Sequence, residues 1–237
     1  MSPSEKNKFI SNWIKSYVDQ MPVKAQSLVI GISGGIDSSV SSTLSAMTGI
    51  KTIVLTMPIR QKNNQHDLSL KHQGWLIKNF KNVEAHTINL DKLFESFSST
   101  LEKFDNEHGY ANSRARLRMT TLYQVAAANK GIVVGTGNKV EDFGVGFYTK
   151  YGDGGVDISP IADCNKTEVW ELGKELGILK EIIDAPPTDG LWDDGRTDEG
   201  QLGFKYEDLE DAMKNPNSPH RQEYEKIRKQ NLHKMEP

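Results

Sequence analysis

The run Leu28-Val29-Ile30-Gly31-Ile32 is followed at once by Ser33-Gly34-Gly35-Ile36-Asp37-Ser38-Ser39, and this junction restricts the fold more than any other part of the chain. Five largely apolar residues are too few for a buried helix and suit a central strand. The glycines permit a sharp turn, and Asp37 to Met47 reads as the helix that follows. The same alternation continues downstream. Lys51 to Thr56 reads as a second strand ending before Pro58, then come a helix near 68–79, a strand near 84–90, helices over 91–108 and 113–129, and a buried-type strand at Ile132-Val133-Val134-Gly135. Strands alternating with helices predict parallel pairing through right-handed crossovers. The fold expected is α/β and doubly wound (Rossmann-like), with a mainly parallel five-stranded sheet and helices on both faces. Ligands in such sheets bind beyond the carboxyl ends of the strands, where strand order reverses. That rule puts the 33–35 turn and Thr136-Gly137-Asn138 on one edge.

The first turn has the chemistry of an anion cradle. Backbone N–H groups of Gly31, Ile32, Ser33, Gly34, Gly35 and Ile36 can approach a phosphate closely, the helix start adds favourable partial charge, and Ser33, Ser38 and Ser39 add hydroxyl donors. No Gly-Lys-Ser/Thr follows, so the turn differs from loops that grip a γ-phosphate. A carboxylate, Asp37, makes sense facing phosphates only if a metal bridges it to them. The group predicted here is a Mg²⁺-bound pyrophosphate of ATP, with cleavage between α- and β-phosphates.

Composition excludes several classes. The 237 residues carry a net charge of −3, which gives no global nucleic-acid signature. A single cysteine, Cys164, excludes an internal disulfide framework and, with six scattered histidines, a zinc finger. No apolar run approaches the roughly 18 residues needed to cross a bilayer, and the N-terminus lacks a signal-like apolar core, so a cytoplasmic location is expected. Domain organisation is expected to be one unit over 1–237. It comprises an N-terminal helix within 1–22 with Phe9, Ile10, Trp13, Ile14 and Tyr17 as a packing stripe, a mobile acidic loop over 184–200, and a helical tail over 203–237.

The string Ser33-Gly34-Gly35-Ile36-Asp37-Ser38-Ser39 resembles the signature of the ATP-pyrophosphatase superfamily, whose members adenylate a substrate oxygen and release pyrophosphate. Three further segments are similar to the NAD synthetase family in particular: Asn112 to Met119, Gly135 to Glu141, and Thr149 to Asp163 continued by Lys166-Thr167-Glu168-Val169. They occur in the same order from about residue 28 to residue 210.

The resemblance implies ATP- and Mg²⁺-dependent amidation of deamido-NAD by ammonia, through an acyl-adenylate, with AMP and pyrophosphate released. It assigns Thr136, Lys166 and Thr188 to ATP with the first turn, and Arg116, Lys150, Asp157, His233 and Lys234 to the substrate. It also implies a homodimer. Glu141, after a strand-end turn, can complete the Mg²⁺ shell with Asp37, since Mg²⁺ takes one or two carboxylates plus waters and phosphates; Asp142 reads as a solvated neighbour. Arg114 and Arg118 share a helical face, with Arg116 roughly 200° away, so the three cannot form one patch; for Arg114 and Arg118, pairing with surface acids is the other reading. Asp153 is the candidate that binds and deprotonates ammonium, with Lys150 beside it, a structural turn aspartate being the other reading; the segment 186–200 is expected to close over the adenylate.

Glutamine-using members need an additional amidase domain with a nucleophilic cysteine, and Cys164 sits among acids inside the synthetase segment, so free ammonia is the expected nitrogen source. The family's C-terminal His-Lys-Arg lacks its arginine here, His233-Lys234 being followed by Met235. The alternatives are another ATP-pyrophosphatase, such as a GMP synthetase subunit or a tRNA-modifying adenylating enzyme. The 149–163 segment separates the first, and the acidic balance and lone cysteine argue against the second.

Overall fold

The structure is a computed structural model that describes residues 1–60, 63–188 and 197–235. Strands β1 (Ser27–Gly31), β2 (Lys51–Thr56), β3 (Val83–Thr87) and β4 (Gly131–Val133) form one parallel sheet in the order β3-β2-β1-β4. The chain winds outward through β2 and β3 and then returns to the far side of β1. Strand order therefore reverses between β1 and β4, which puts the ligand crevice at their carboxyl ends.

Alternation along the strands divides the core. Leu28, Ile30, Val54 and Ile132 face one layer of helices, meeting Val40 and Leu44 of α2 (Ile36–Met47), Leu76 of α3 (Asn63–Asn79), and Val169 and Leu172 of α6 (Lys166–Glu175). Val29, Ile53, Leu55 and Val133 face the other layer, meeting Phe94 of α4 (Asp91–Thr100) and Met119, Leu122 and Ala126 of α5 (Glu107–Ala128). A third cluster joins Val140 and Val145 of a π-helical turn (Lys139–Val145) to Tyr206, Leu209 and Ala212 of α9 (Tyr206–Lys214) and Tyr224 of α10 (Arg221–Met235).

Several expectations are corrected. The sheet has four strands among the described residues, where five were expected. The place of the fifth is taken by a single parallel bridge, Val134 to Ile158, with Gly135 N–H donating to Ile158 O at 2.8 Å. Ser159-Pro160 follows, and proline has no N–H to extend a ladder. The helix expected over 91–108 is broken, because Asn106 accepts from Gly109 N–H and starts α5 afresh. In α1 (Pro3–Gln20) the stripe splits: Ile10 and Ile14 are buried, whereas Phe9, Trp13 and Tyr17 are exposed. The loop expected over 184–200 ends in α8 (Asp198–Leu202), after the four-residue α7 (Lys180–Ile183). Residues 189–196 of the segment expected to close over the adenylate lie outside the described residues. Among the described residues, no helix is long and apolar enough to cross a membrane.

Candidate active site

The bend after β1 begins the site. Gly34 has φ +91°, a backbone geometry that favours glycine. Gly35 is the N-cap of α2 and offers no side chain to the first-turn amides. Ser38 Oγ accepts from Ser33 N–H at 3.2 Å and donates to Gly35 O at 3.1 Å, locking the bend. A cavity of about 210 Å³ opens above it. Its walls include Gly31, Ile32, Ser33, Asp37, Ser38, and, from the β4 side and beyond, Thr136, Glu141, Asp153 and Thr188. Gly34, Gly35 and Ile36 form the bend rather than the wall. The two segments expected to share an edge do so.

At the floor, Lys166 is only 2% exposed. Its Nζ donates to Asp37 Oδ2 at 2.5 Å and to Glu141 Oε1 at 2.9 Å. Burial disfavours that ammonium, but the charges of Asp37 and then Glu141 outweigh it and hold Lys166 above its ordinary pKa. Burial, reinforced by Glu141, pushes the Asp37 carboxyl up against the pull of Lys166. Burial opposes ionisation of Glu141 too, yet Lys166 and the Tyr206 hydroxyl keep it low.

Two fully buried residues orient these carboxylates, and neither was singled out from the sequence. Asn138 Nδ2 donates to Asp37 Oδ1 at 3.1 Å, while its Oδ1 accepts from the N–H groups of Val140 and Glu141 and so caps the π-helical turn. Tyr206 Oη donates to Glu141 Oε1 at 2.5 Å and to Asp198 Oδ2 at 3.2 Å. Burial and then the charges of Glu141 and Asp198 raise the phenol, which keeps it a neutral donor. Asn138 adjoins a recognisable glycine turn and could have been picked out. Tyr206 lies in the tail with no local motif.

The donor set fits Mg²⁺. Two carboxylates converge on one small cation, here an ammonium, and phosphates and waters would supply the remaining oxygens. Among the described residues no three His, Cys, Asp or Glu side chains form a complete metal cage, so the pair suits a metal that arrives with a nucleotide.

A second, wider cavity of about 900 Å³ lies between α5, the 148–159 segment and the end of α10, and Met119, Asp142 and Val156 line both cavities. Asp142, expected as a solvated neighbour, is partly buried at this junction. Burial, then the charges of Asp153, Glu141 and Asp37, raise its carboxyl well above the ordinary range. A Cβ on Gly137 would collide with Asp142 Oδ2, so only glycine there leaves room for that carboxylate. Asp153 Oδ1 accepts from Thr149 N–H at 3.0 Å.

Lys150 and Lys234 line the second cavity. Lys150 Nζ donates to His233 O and Lys234 Nζ to Gly146 O, both at 2.9 Å. The C-terminal helix thus folds back onto the site.

Lys166 lies behind the wall formed by Asp37 and Glu141, and three of the expected substrate residues lie off both cavity walls. Arg116 is exposed and donates to Lys150 O, His233 is exposed, and Asp157 accepts from Val133 N–H at 2.7 Å and from the Tyr123 hydroxyl at 3.2 Å. Of the other two arginines, Arg114 is buried over the Phe94 ring, and Arg118 lines the first cavity and donates to Met57 O. Cys164 is buried, and burial raises its thiol.

Comparison with known proteins bears on this geometry. A family model described as NAD synthase matches residues 7–236. The chain is 38% identical over 211 residues to the NH(3)-dependent NAD(+) synthetase of Carboxydothermus hydrogenoformans, covering 87% of this chain and 83% of the relative. Its fold superposes on the NMN synthetase of Francisella tularensis with a TM-score of 0.91 at 32% identity, covering 100% and 97% of the two chains. For the NH3-dependent NAD synthetase of Campylobacter jejuni the TM-score is 0.79 at 25% identity, with 100% and 98% covered.

Proposed function

The chain belongs to the NAD synthase family, and on that premise we propose that it is a carbon–nitrogen ligase converting deamido-NAD to NAD with ammonia and ATP. The observation that carries this reading is the Asp37–Glu141 carboxylate pair, gathered on one cation beside the glycine-serine bend at the sheet's switch point. When bound there, Mg²⁺ supplies positive charge to the phosphates of ATP.

The chain's own residues do the rest. First-turn amides of α2 and the Ser33 hydroxyl hold the phosphates, with Ser38 locking the bend and Thr136 and Thr188 on the walls. Lys166 adds charge as pyrophosphate departs. Lys150 and Lys234 draw the nicotinate nucleotide into the second cavity, so that its carboxylate meets the α-phosphate near Asp142 and Val156. Arg116 steadies the Lys150 backbone. A carboxylate oxygen attacks the α-phosphorus, and the bond to the bridging oxygen breaks. The pyrophosphate leaves. Ammonia then attacks the acyl carbon, and AMP departs with that carboxylate oxygen.

Ammonium is drawn to Asp153 on the wall of the first cavity, which accepts its proton. Holding both nucleotides in register supplies much of the acceleration. The assembly proposed is a homodimer, supported by the exposed aromatic face Phe9, Trp13 and Tyr17; a monomer in sedimentation equilibrium would contradict it.

A second reading concerns substrate size. The match to an NMN synthetase over the whole chain favours a mononucleotide acid in place of the dinucleotide. One assay separates the two: purified protein receives ATP, Mg²⁺, ammonium and either nicotinic acid adenine dinucleotide or nicotinic acid mononucleotide. The primary reading expects a kcat/KM at least about tenfold higher for the dinucleotide, a difference of roughly 1.4 kcal/mol. The reverse preference supports the mononucleotide reading, and turnover of neither defeats both.

A further inference from the structure

The two carboxylates are held in place without the lysine. Asn138 fixes Asp37, and Tyr206, buried and hydrogen-bonded also to Asp198, fixes Glu141. Lys166 reaches the group from a separate helix. It is the first residue of α6, and its ammonium reaches the pair on a flexible four-carbon stem, lying 4.8 Å from the Tyr206 ring centre and 5.9 Å from that of Trp170.

An ammonium at 2.5 and 2.9 Å from these two oxygens stands where a divalent cation would stand. Magnesium binds oxygen at about 2.0–2.1 Å, so the two cations cannot share this position. Without any cation, two partly buried carboxylates would be left uncompensated. With both cations present, the positive charge would be in excess until phosphates arrive. The same cavity receives those phosphates beside Asp37.

We infer that the Lys166 ammonium is the resident counter-ion of the Asp37–Glu141 pair and exchanges with Mg²⁺, leaving the carboxylates for the phosphates when metal and nucleotide enter together. Metal entry is thereby tied to nucleotide entry: without phosphates, Mg²⁺ must displace a buried ammonium that has no new partner. The inference rests on the reading of Asp37 and Glu141 as the metal-holding pair.

The test is Mn²⁺ binding to nucleotide-free protein, followed by calorimetry and by electron paramagnetic resonance of free Mn²⁺. Lys166→Met keeps the stem and removes the charge. It is expected to bind Mn²⁺ at least about tenfold more tightly than wild type, while binding an α,β-methylene ATP analogue more weakly. Opposite signs for metal and nucleotide are what exchange requires, whereas simple loss of structure weakens both. Nucleotide-free Mn²⁺ affinity equal to or below that of wild type overturns the inference. The double variant Lys166→Met, Asp37→Asn is expected to lose the gained site. Its retention would place the metal elsewhere and remove the premise rather than the exchange.

Wild-type protein gives an independent reading if the variant does not fold. The ¹⁵Nζ signal of Lys166, protected by burial, should persist in Mg²⁺ alone and shift when the analogue is added with it. A signal unmoved by both together overturns the exchange.

Discussion

Glu141 receives two donors on one oxygen, the Lys166 ammonium and the Tyr206 hydroxyl, and only the second is available whatever ion occupies the site. Tyr206 is therefore a positioning residue. Tyr206→Phe keeps the ring that packs edge-on against Trp170 and removes only the hydroxyl. A hydrogen bond to a charged group contributes about 1.5–3 kcal/mol, so the Mg²⁺ concentration giving half-maximal rate should rise roughly tenfold or more. Unfolding free energy should fall by a smaller amount. A Mg²⁺ titration alongside denaturant unfolding checks both, and an unchanged metal requirement contradicts the assignment.

Asp37 and Glu141 stood out in the sequence because each adjoins a glycine turn at a strand end, whereas Lys166 came only through the family resemblance. Asn138, beside the second turn, could have been singled out from its position, and Tyr206 could not. Their roles depend on burial and on contacts across 101 and 65 residues of chain, which spacing does not encode.

Among the elements, the α2–α3 interface makes a sharp claim about pH. α2 is rich in buried hydroxyls, and one of them, Ser42 Oγ, lies 3.0 Å from Nε2 of the fully buried His72 on α3. Burial pushes this imidazole down to about 4, against a weaker opposing bond from Ser39. A histidine neutral in the fold but protonated when unfolded stabilises fully above about pH 6.5, its unfolded value. That contribution is lost as pH falls from there toward 4, and amounts to roughly 3 kcal/mol. Wild-type protein should thus lose markedly more stability between pH 7.5 and 4.5 than His72→Gln, measured by chemical denaturation at each pH. Parallel losses would remove His72 as a source of the acid sensitivity.

Elements with strong period signals were readable: β2 occupies the expected 51–56, and α2 begins one residue before Asp37. β3 is shorter than expected, ending at Thr87. The fault in the 91–108 helix came from treating Asn106 as interior when its side chain makes it a start signal. The α1 stripe reads as core or interface packing; α2 and α6 cover Ile10 and Ile14 and leave the aromatic edge outside.

For the whole molecule, winding order decides everything chemical. Reversal between β1 and β4 brings the bend of residues 33–38 and the turn of residues 136–141 to one edge, and α9 then delivers Tyr206 from beyond. Parallel winding and its switch point could be deduced from alternating segments alone. The strand count could not, because a strand reduced to one bridge by Pro160 looks in sequence much like a short one. Nor could the return of α10, whose Lys234 closes onto Gly146 through a contact 88 residues apart.

Transfer of AMP to the nicotinate carboxylate is the step on which the proposed chemistry turns. Labelling both oxygens of that carboxylate with ¹⁸O and analysing the products of one turnover by mass spectrometry tests it directly. One labelled oxygen should appear in AMP and one should remain in the amide, with pyrophosphate unlabelled. Unlabelled AMP, or label in an inorganic phosphate released with ADP, would contradict it.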